Sequence, residues 1–366
     1  MKYVSLILIL ACTFIGCSKT KQNTSGTTSD AASLRSFQQG DEFGFKDAAG
    51  TVVIKPQFAD AGDFSEEFAR VRPDPNGPWG YINRAGDVVI PAQFDGASDF
   101  RDGKAVILSN EKFFYISSEG KRLASFDQNI PDKPLSIGDT LYVVHPNGLI
   151  ARSLGDMNAS VMGQVRFGEA VTYAYDPHPK QFQTIDGLRG AWLSVRYQNK
   201  QGYLFDLYLS KYPQALEKRP VETYRVVVSS RNDNSYSVYT LTRYFSGGRL
   251  NTRDGSSWTE SQEIVPNADV EEVIARLKLF PMGEIGPMVQ RFTGESGTYT
   301  TDKGETVAVA VRRYADGFFE TVSFSKKSES GTFDFTLSKS STADVEITTS
   351  STPESGEDMT PSETGD

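Results

Sequence analysis

Cysteine and histidine carry much of the nucleophilic, metal-binding and proton-transfer chemistry in proteins, and this chain of 366 residues has only Cys12, Cys17, His145 and His178. Both cysteines fall within the first 17 residues, so nothing downstream offers a thiol for a disulfide, a zinc site or a nucleophile. His145 and His178 both sit near Pro in loop-like sequence and read as surface residues, since a metal site needs more ligands than two lone imidazoles. The adjacent carboxylates Glu66-Glu67 and Glu271-Glu272 point apart on their elements and read as solvated charges, not an acid/base pair. Asn232-Asp233-Asn234 resembles a fragment of a calcium loop, but the following Gly and the distal Glu are missing, so it reads as a turn. No G-x-S-x-G elbow, H-E-x-x-H, phosphate-binding loop or G-x-G-x-x-G after a strand is present. The sequence therefore nominates no catalytic residue, no metal ligand and no cofactor. The formal charge of −9, with no Lys/Arg-rich block, disfavours nucleic acid as a partner.

What must position any binding residues is a series of separate modules, and the first segment is an export leader. Lys2 gives a positive start, and Val4 to Ile15 is an almost continuous apolar stretch of 12 residues. A membrane-spanning helix needs about 20 residues to cross ~30 Å, so the stretch fits the apolar part of a signal peptide. Phe14-Ile15-Gly16-Cys17 resembles the lipobox of bacterial lipoproteins, with Phe14 where that family prefers Leu. The resemblance implies removal of residues 1–16, lipidation of Cys17 (diacylglycerol on sulfur, palmitate-type acylation of the new amine) and a membrane as partner. Loss of Lys2 takes the charge to −10. Ser18 and Lys19 do not look like an inner-membrane retention signal, which points to the outer membrane. The alternative is an ordinary secretory leader whose Cys is incidental. Residues 17–38, rich in Ser and Thr, read as a flexible tether.

Residues 39–130 contain an internal repeat. An offset of 36 pairs Phe43-Gly44-Phe45 with Trp79-Gly80-Tyr81, Gly50 with Gly86, Val53-Ile54 with Val89-Ile90, Gln57-Phe58 with Gln93-Phe94, and Asp63-Phe64 with Asp99-Phe100. A worn third copy starts at Phe113-Phe114-Tyr115-Ile116 and keeps Gly120. Each copy predicts an aromatic strand, a Gly turn, a second strand, a loop and a short apolar strand; one copy cannot bury its aromatic face alone, so neighbours share a core. Trp79-Gly80-Tyr81-Ile82, Gly86, Val89-Ile90-Pro91, Gln93-Phe94-Asp95 and Phe100 resemble the WG repeat of bacterial surface and periplasmic proteins. That resemblance implies a β scaffold with an interaction role and no catalytic residues. The aromatics read as core, with a carbohydrate-stacking surface as the alternative.

Residues 131–215 predict a small barrel of short strands. Leu149, Arg152 and Ser153, then Val161-Met162-Gly163, Gly168, Trp192 with Val195, and Gly202-Tyr203-Leu204 resemble the bacterial SH3 domain. The resemblance implies binding of peptidoglycan peptides or other peptides in an aromatic groove, here Tyr142, Tyr173, Trp192 and Tyr203; the alternative is that Trp192 and Tyr203 are barrel core. Residues 221–349 predict an antiparallel sheet with one helix over 268–280, its apolar face formed by Val270, Val273, Ile274 and Leu277 and its start marked by the Asp269-x-x-Glu272 capping box. Residues 350–366 carry five acidic and no basic residues and read as a disordered tail. The expected fold class is mostly β and multidomain: a short β-repeat array, an SH3-like small barrel and an antiparallel sheet with a helix (α+β). The expected function is a membrane-anchored, non-catalytic binding or scaffold lipoprotein of the cell envelope that contacts peptidoglycan or another envelope protein; the alternative is an envelope hydrolase with its site in 221–348.

Overall fold

The computed structural model describes residues 34–126, 135–213, 218–229, 236–255, 258–266, 268–281, 283–328, 331–340 and 344–353. The leader, Cys17 and Asn232-Asp233-Asn234 lie outside the described residues. Strands account for 57% of the described residues and helices for 7%, so the fold is mostly β. In the sheets described below, neighbouring strands pair antiparallel.

The sequence repeat is a structural repeat down to its irregularities. Glu42–Lys46 pairs with Val52–Phe58, and Trp79–Asn83 pairs with Val88–Phe94. Both ladders slip at equivalent places: Phe43↔Phe58, Phe45↔Ile54 and Lys46↔Val52 in one, Trp79↔Phe94, Tyr81↔Ile90 and Ile82↔Val88 in the other. Copies also share cores as expected. Ala69, Val71 and Ile82 pack with Phe45, Ile54 and Phe58, while Trp79, Tyr81, Ile90 and Phe94 pack with Phe100, Ile107 and Ile116 of the next unit. Strand pairing is present ahead of residue 39: Arg35–Gln39 pairs with Glu42–Lys46, and Leu34 is buried in the first core. The polar composition of 17–38 conceals this because the strand's stabilisation comes from its partner, not from its own side chains.

The second module is an eight-stranded sheet. Its hydrogen-bonded order runs Val161–Val165, Leu149–Arg152, Lys200–Phe205, Leu188–Tyr197, Ala170–Tyr173, Thr140–Val143 and Leu209–Ser210, with Gln181–Ile185 also on Leu188–Tyr197. Ala151 and Val165 near one end share a core with Leu141, Val143 and Leu209 at the other, so the sheet curls around its own interior.

The remainder is one sheet of 13 strands. It starts in the third repeat copy with Arg122–Ser125, Lys112–Ser117, Lys104–Ser109 and Gly96–Ala97. Through Val227↔Ala97 and Val228↔Gly96 it continues into Pro220–Ser229, then Tyr236–Tyr244, Arg249–Asp254, Thr259–Val265, Val345–Pro353, Gly331–Lys339, Phe319–Ser328, Thr306–Arg313 and Gly297–Thr300. The repeat region and residues 221–349 therefore share a sheet. Side chains reinforce the seam: Glu222 accepts from Tyr115 and pairs with Lys104 at 3.0 Å and Arg243 at 3.3 Å. Burial and the hydrogen bond to Glu222 together push the Tyr115 phenol up. Val345–Pro353 is an interior strand, paired with Thr259–Val265 up to Ser351 and with Gly331–Lys339 up to Pro353, so the sheet reaches past residue 350 where the acidic composition suggests a tail.

Two α-helices are present among the described residues, where the sequence predicts one: α1, Val270–Leu279, and α2, Ile285–Gln290. Gly286 and Pro287 hide the second, yet Pro287 lies in its first turn, where a backbone N–H has no partner to lose. Helix α1 buries Val270, Val273 and Ile274 as its periodicity requires. Its expected capping box is not formed. Asp269 makes no side-chain cap and pairs instead with Lys339 at 2.9 Å, while Glu272 pairs with Arg276 one turn on.

Candidate functional site

The glycine of each aromatic strand explains the dipeptide at the heart of the repeat. A Cβ on Gly80 would lie 2.6 Å from the Ile90 carbonyl oxygen and 2.7 Å from the Ala92 nitrogen; on Gly44 it would meet the Ile54 oxygen and Pro56 nitrogen, each at 2.6 Å. The slipped ladder folds the partner backbone onto the strand at this point, and only glycine leaves room. The preceding Trp79 is buried, with the guanidiniums of Arg70 and Arg72 over its ring at 5.8 and 5.6 Å. Tyr81 is buried edge-on to Phe100 at 4.9 Å and donates to the Ser98 carbonyl at 2.8 Å; Phe45 and Phe64 repeat the ring geometry at 4.9 Å. Residues 43–72 and 79–113 match the family model of the WG containing repeat. No curated protein and no solved structure matches the chain. The aromatics of these WG repeats are core, so none of Phe45, Trp79 or Tyr81 offers a free ring to a ligand. In the third copy Phe114 replaces the glycine, and its partner strand, Arg122–Ser125, shrinks to four residues against seven in the earlier copies.

The four aromatics nominated as a peptide groove do not form one. Leu193 and Val195 of Leu188–Tyr197 point into the barrel, so Trp192 points out. Its direct partner Phe205 and the diagonal Tyr203 lie on that same outer face. Tyr173 pairs with Val195 and packs on the inner core, and Tyr142 alternates away from the inward Leu141 and Val143. The outer face is covered. Trp192, Phe205 and Leu207 share a core with Val270, Val273 and Ile274 of α1 and with Phe319, Phe324 and Leu337 of the long sheet. Trp192 stacks tilted on Phe205 at 5.3 Å, and its indole N–H donates to Gln183 at 3.0 Å. Tyr203 donates to Asp176 at 3.0 Å; burial and that hydrogen bond push its phenol up.

Where barrel, α1 and sheet meet there is a cavity of about 450 Å³, reached by Tyr173, Asp206, Lys218, Glu263, Glu272 and Arg276. Its charges pair within the barrel, within α1 and between Lys218 of the connector and the long sheet, while Arg276 also donates from α1 to the Leu209 carbonyl of the barrel at 3.3 Å. Lys218 meets Glu263 at 2.6 Å, Arg276 meets Glu272, and Lys180 stands 4.0 Å from Asp206. Burial pushes Asp206 up to about 6, although its Oδ1 accepts from the Ala191 N–H at 2.7 Å. Such a set of opposed charges orients modules rather than gripping a charged substrate.

The other titratable residues sort differently from their sequence reading in one case. Glu66 accepts from the Gly103 N–H and Glu67 pairs with Arg84 at 3.1 Å, both at the surface. His145 lies edge-on to Tyr208 at 5.0 Å, and His178 meets Asp176 at 3.1 Å. Glu271, by contrast, is fully buried under the long sheet. Its Oε1 accepts from the Phe319 N–H at 2.7 Å, its Oε2 has no partner, and burial pushes it up to about 7. Sequence gives no signal for this, because Glu in the first turn of a helix is ordinary at a solvated N-terminus. Among the described residues, no three His, Cys, Asp or Glu side chains come together to hold a metal.

Proposed function

We propose that this chain is a cell-envelope lipoprotein whose body is a non-catalytic binding scaffold. The observation that carries the reading is the shared packing of the body: WG repeats, the eight-stranded second module and the C-terminal sheet are joined by strand pairing at Val227↔Ala97 and by the core common to Trp192 and α1. Extended β surfaces held in fixed register suit a protein that presents a face to a partner. The Phe14-Ile15-Gly16-Cys17 segment supports removal of residues 1–16, acylation of Cys17 and attachment to a membrane, with Ser18-Lys19 favouring the outer one. The SH3-like module serves chiefly as a structural block, because its Trp192 face is built over. Contact with peptidoglycan or an envelope protein then uses another surface.

Two measurements test this. The native protein should partition into detergent with added acyl mass while a Cys17→Ala variant stays aqueous; equal behaviour in the aqueous phase removes the anchor. Intact protein should co-sediment with purified cell wall or with a cross-linked envelope protein without altering either; turnover of the wall would favour the rival reading of a hydrolase within 221–348.

A further inference from the structure

One face of the long sheet changes character across its width. In one row of the register, Tyr224 and Leu241 are buried, and the same row continues through Asn251, Gln262, Thr348, Thr336 and Ser323. The adjacent row runs Val226, Tyr239, Arg253, Glu260, Ser350, Asp334 and Ser325. The reverse of these strands carries Phe324, Phe335, Leu337 and Ile347 into the core under α1. Among the described residues no helix or strand covers the polar rows, and a cleft of about 400 Å³ lies over them. Phe113 and Tyr239, edge to face at 5.2 Å, close its apolar end.

Two buried polar atoms on these rows lack partners: Asn251 Oδ1 and Arg253 Nε. Buried polar groups are nearly always satisfied, so an orphan acceptor beside an orphan donor on a cleft wall marks a place prepared for another molecule's hydrogen bonds. Arg253 is fixed over the rings of Tyr239 at 5.4 Å and Trp258 at 4.8 Å, with Glu260 at 3.9 Å. Against this single cation stand the carboxylates of Glu260 and Asp334, so the cleft repels phosphate and other anions. A peptide would add to a sheet edge through its backbone. These are interior strands whose backbone groups are spent on each other, and what they present is short amide, hydroxyl and carboxylate side chains at the ~4.8 Å strand spacing. That array matches a ligand with many neutral polar groups along its length and an apolar face for the aromatic end.

We propose that this cleft binds a neutral glycan chain, hydrogen-bonded by Asn251, Gln262, Asp334, Thr336 and Thr348 and packed at one end on Tyr239. The site goes beyond the scaffold reading and does not depend on the lipid at Cys17. The test is calorimetric titration of the intact protein in detergent with chitohexaose and with cellohexaose. At least one should bind with a dissociation constant below about 1 mM. Asp334→Ala and Asn251→Leu should each weaken it by about tenfold or more. Asn251→Leu should also melt no lower than the wild type, since it deletes an unsatisfied buried acceptor; a merely structural Asn251 would melt lower. Absence of binding for both sugars, or variants that bind like the wild type, overturns the site. New reducing ends released from a bound chain would keep the site and overturn the non-catalytic reading.

Discussion

The two ends of the long sheet solve the same problem on one face in opposite ways. At the WG-repeat end, Val106, Leu108, Phe113 and Tyr115 pack over Tyr224, Val226 and Leu241 and bury them. At the far end the same face is a field of Ser, Thr, Asn and Gln, and stability comes from the reverse side, where α1 and the barrel's Trp192 cover Phe324, Phe335 and Leu337. A sheet can thus be continuous in hydrogen bonding while its hydrophobic face changes hands, which leaves one broad polar surface that no helix or strand among the described residues covers.

The contrast can be broken most sharply at Leu241. Leu241→Ala empties a fully buried position and should cost about 2–5 kcal/mol in chemical denaturation. At the far end, the cover supplied by α1 depends on pH. Glu271 has its carboxyl raised from 4.5 to about 7, so between those values the folded chain keeps a proton that the unfolded chain releases, and stability falls as pH rises through that window. Glu271→Gln should therefore gain up to about 3 kcal/mol at pH 8 and little at pH 4.5, read from paired denaturation curves. Gly80→Ala pushes a methyl into the Ile90 carbonyl and should cost about 1–3 kcal/mol by the same assay. The smallest effect is expected at Thr336, on Leu241's own row: Thr336→Ala should stay within about 0.5 kcal/mol. A large loss at Thr336 would mean that the polar end of the face is structural after all.

The repeat was legible because its constraint is local: a glycine where two backbones touch and an aromatic on each side recur at a fixed offset, and Gly80 and Gly44 show why they must. Helix α1 was legible from its period, and the β-rich class from its composition. The seam at Val227↔Ala97 was not, because it joins residues 130 positions apart and leaves no period to find. The groove prediction failed on a strand buried almost without a break, Leu188–Tyr197. When both faces of a strand are covered, residue type cannot say which way Trp192 points. The glycan cleft was hidden for the converse reason: Asn251, Gln262, Thr348 and Thr336 are unremarkable in sequence and become neighbours only through the order of four strands.

The seam also sets how the molecule bears load. Among the described residues, strand pairing crosses from the repeats into the C-terminal sheet through two residue pairs, Val227↔Ala97 and Val228↔Gly96, against nine between Gly331–Lys339 and Val345–Pro353. When a chain held near Leu34 is pulled from its far strands, tension crosses that short rung and the Glu222 cluster beside it. Should that rung part, the Glu222 cluster and the core shared by Val106, Tyr115, Tyr224 and Leu241 still hold the repeats against the C-terminal sheet, so the seam rests on side chains more than on strand pairing.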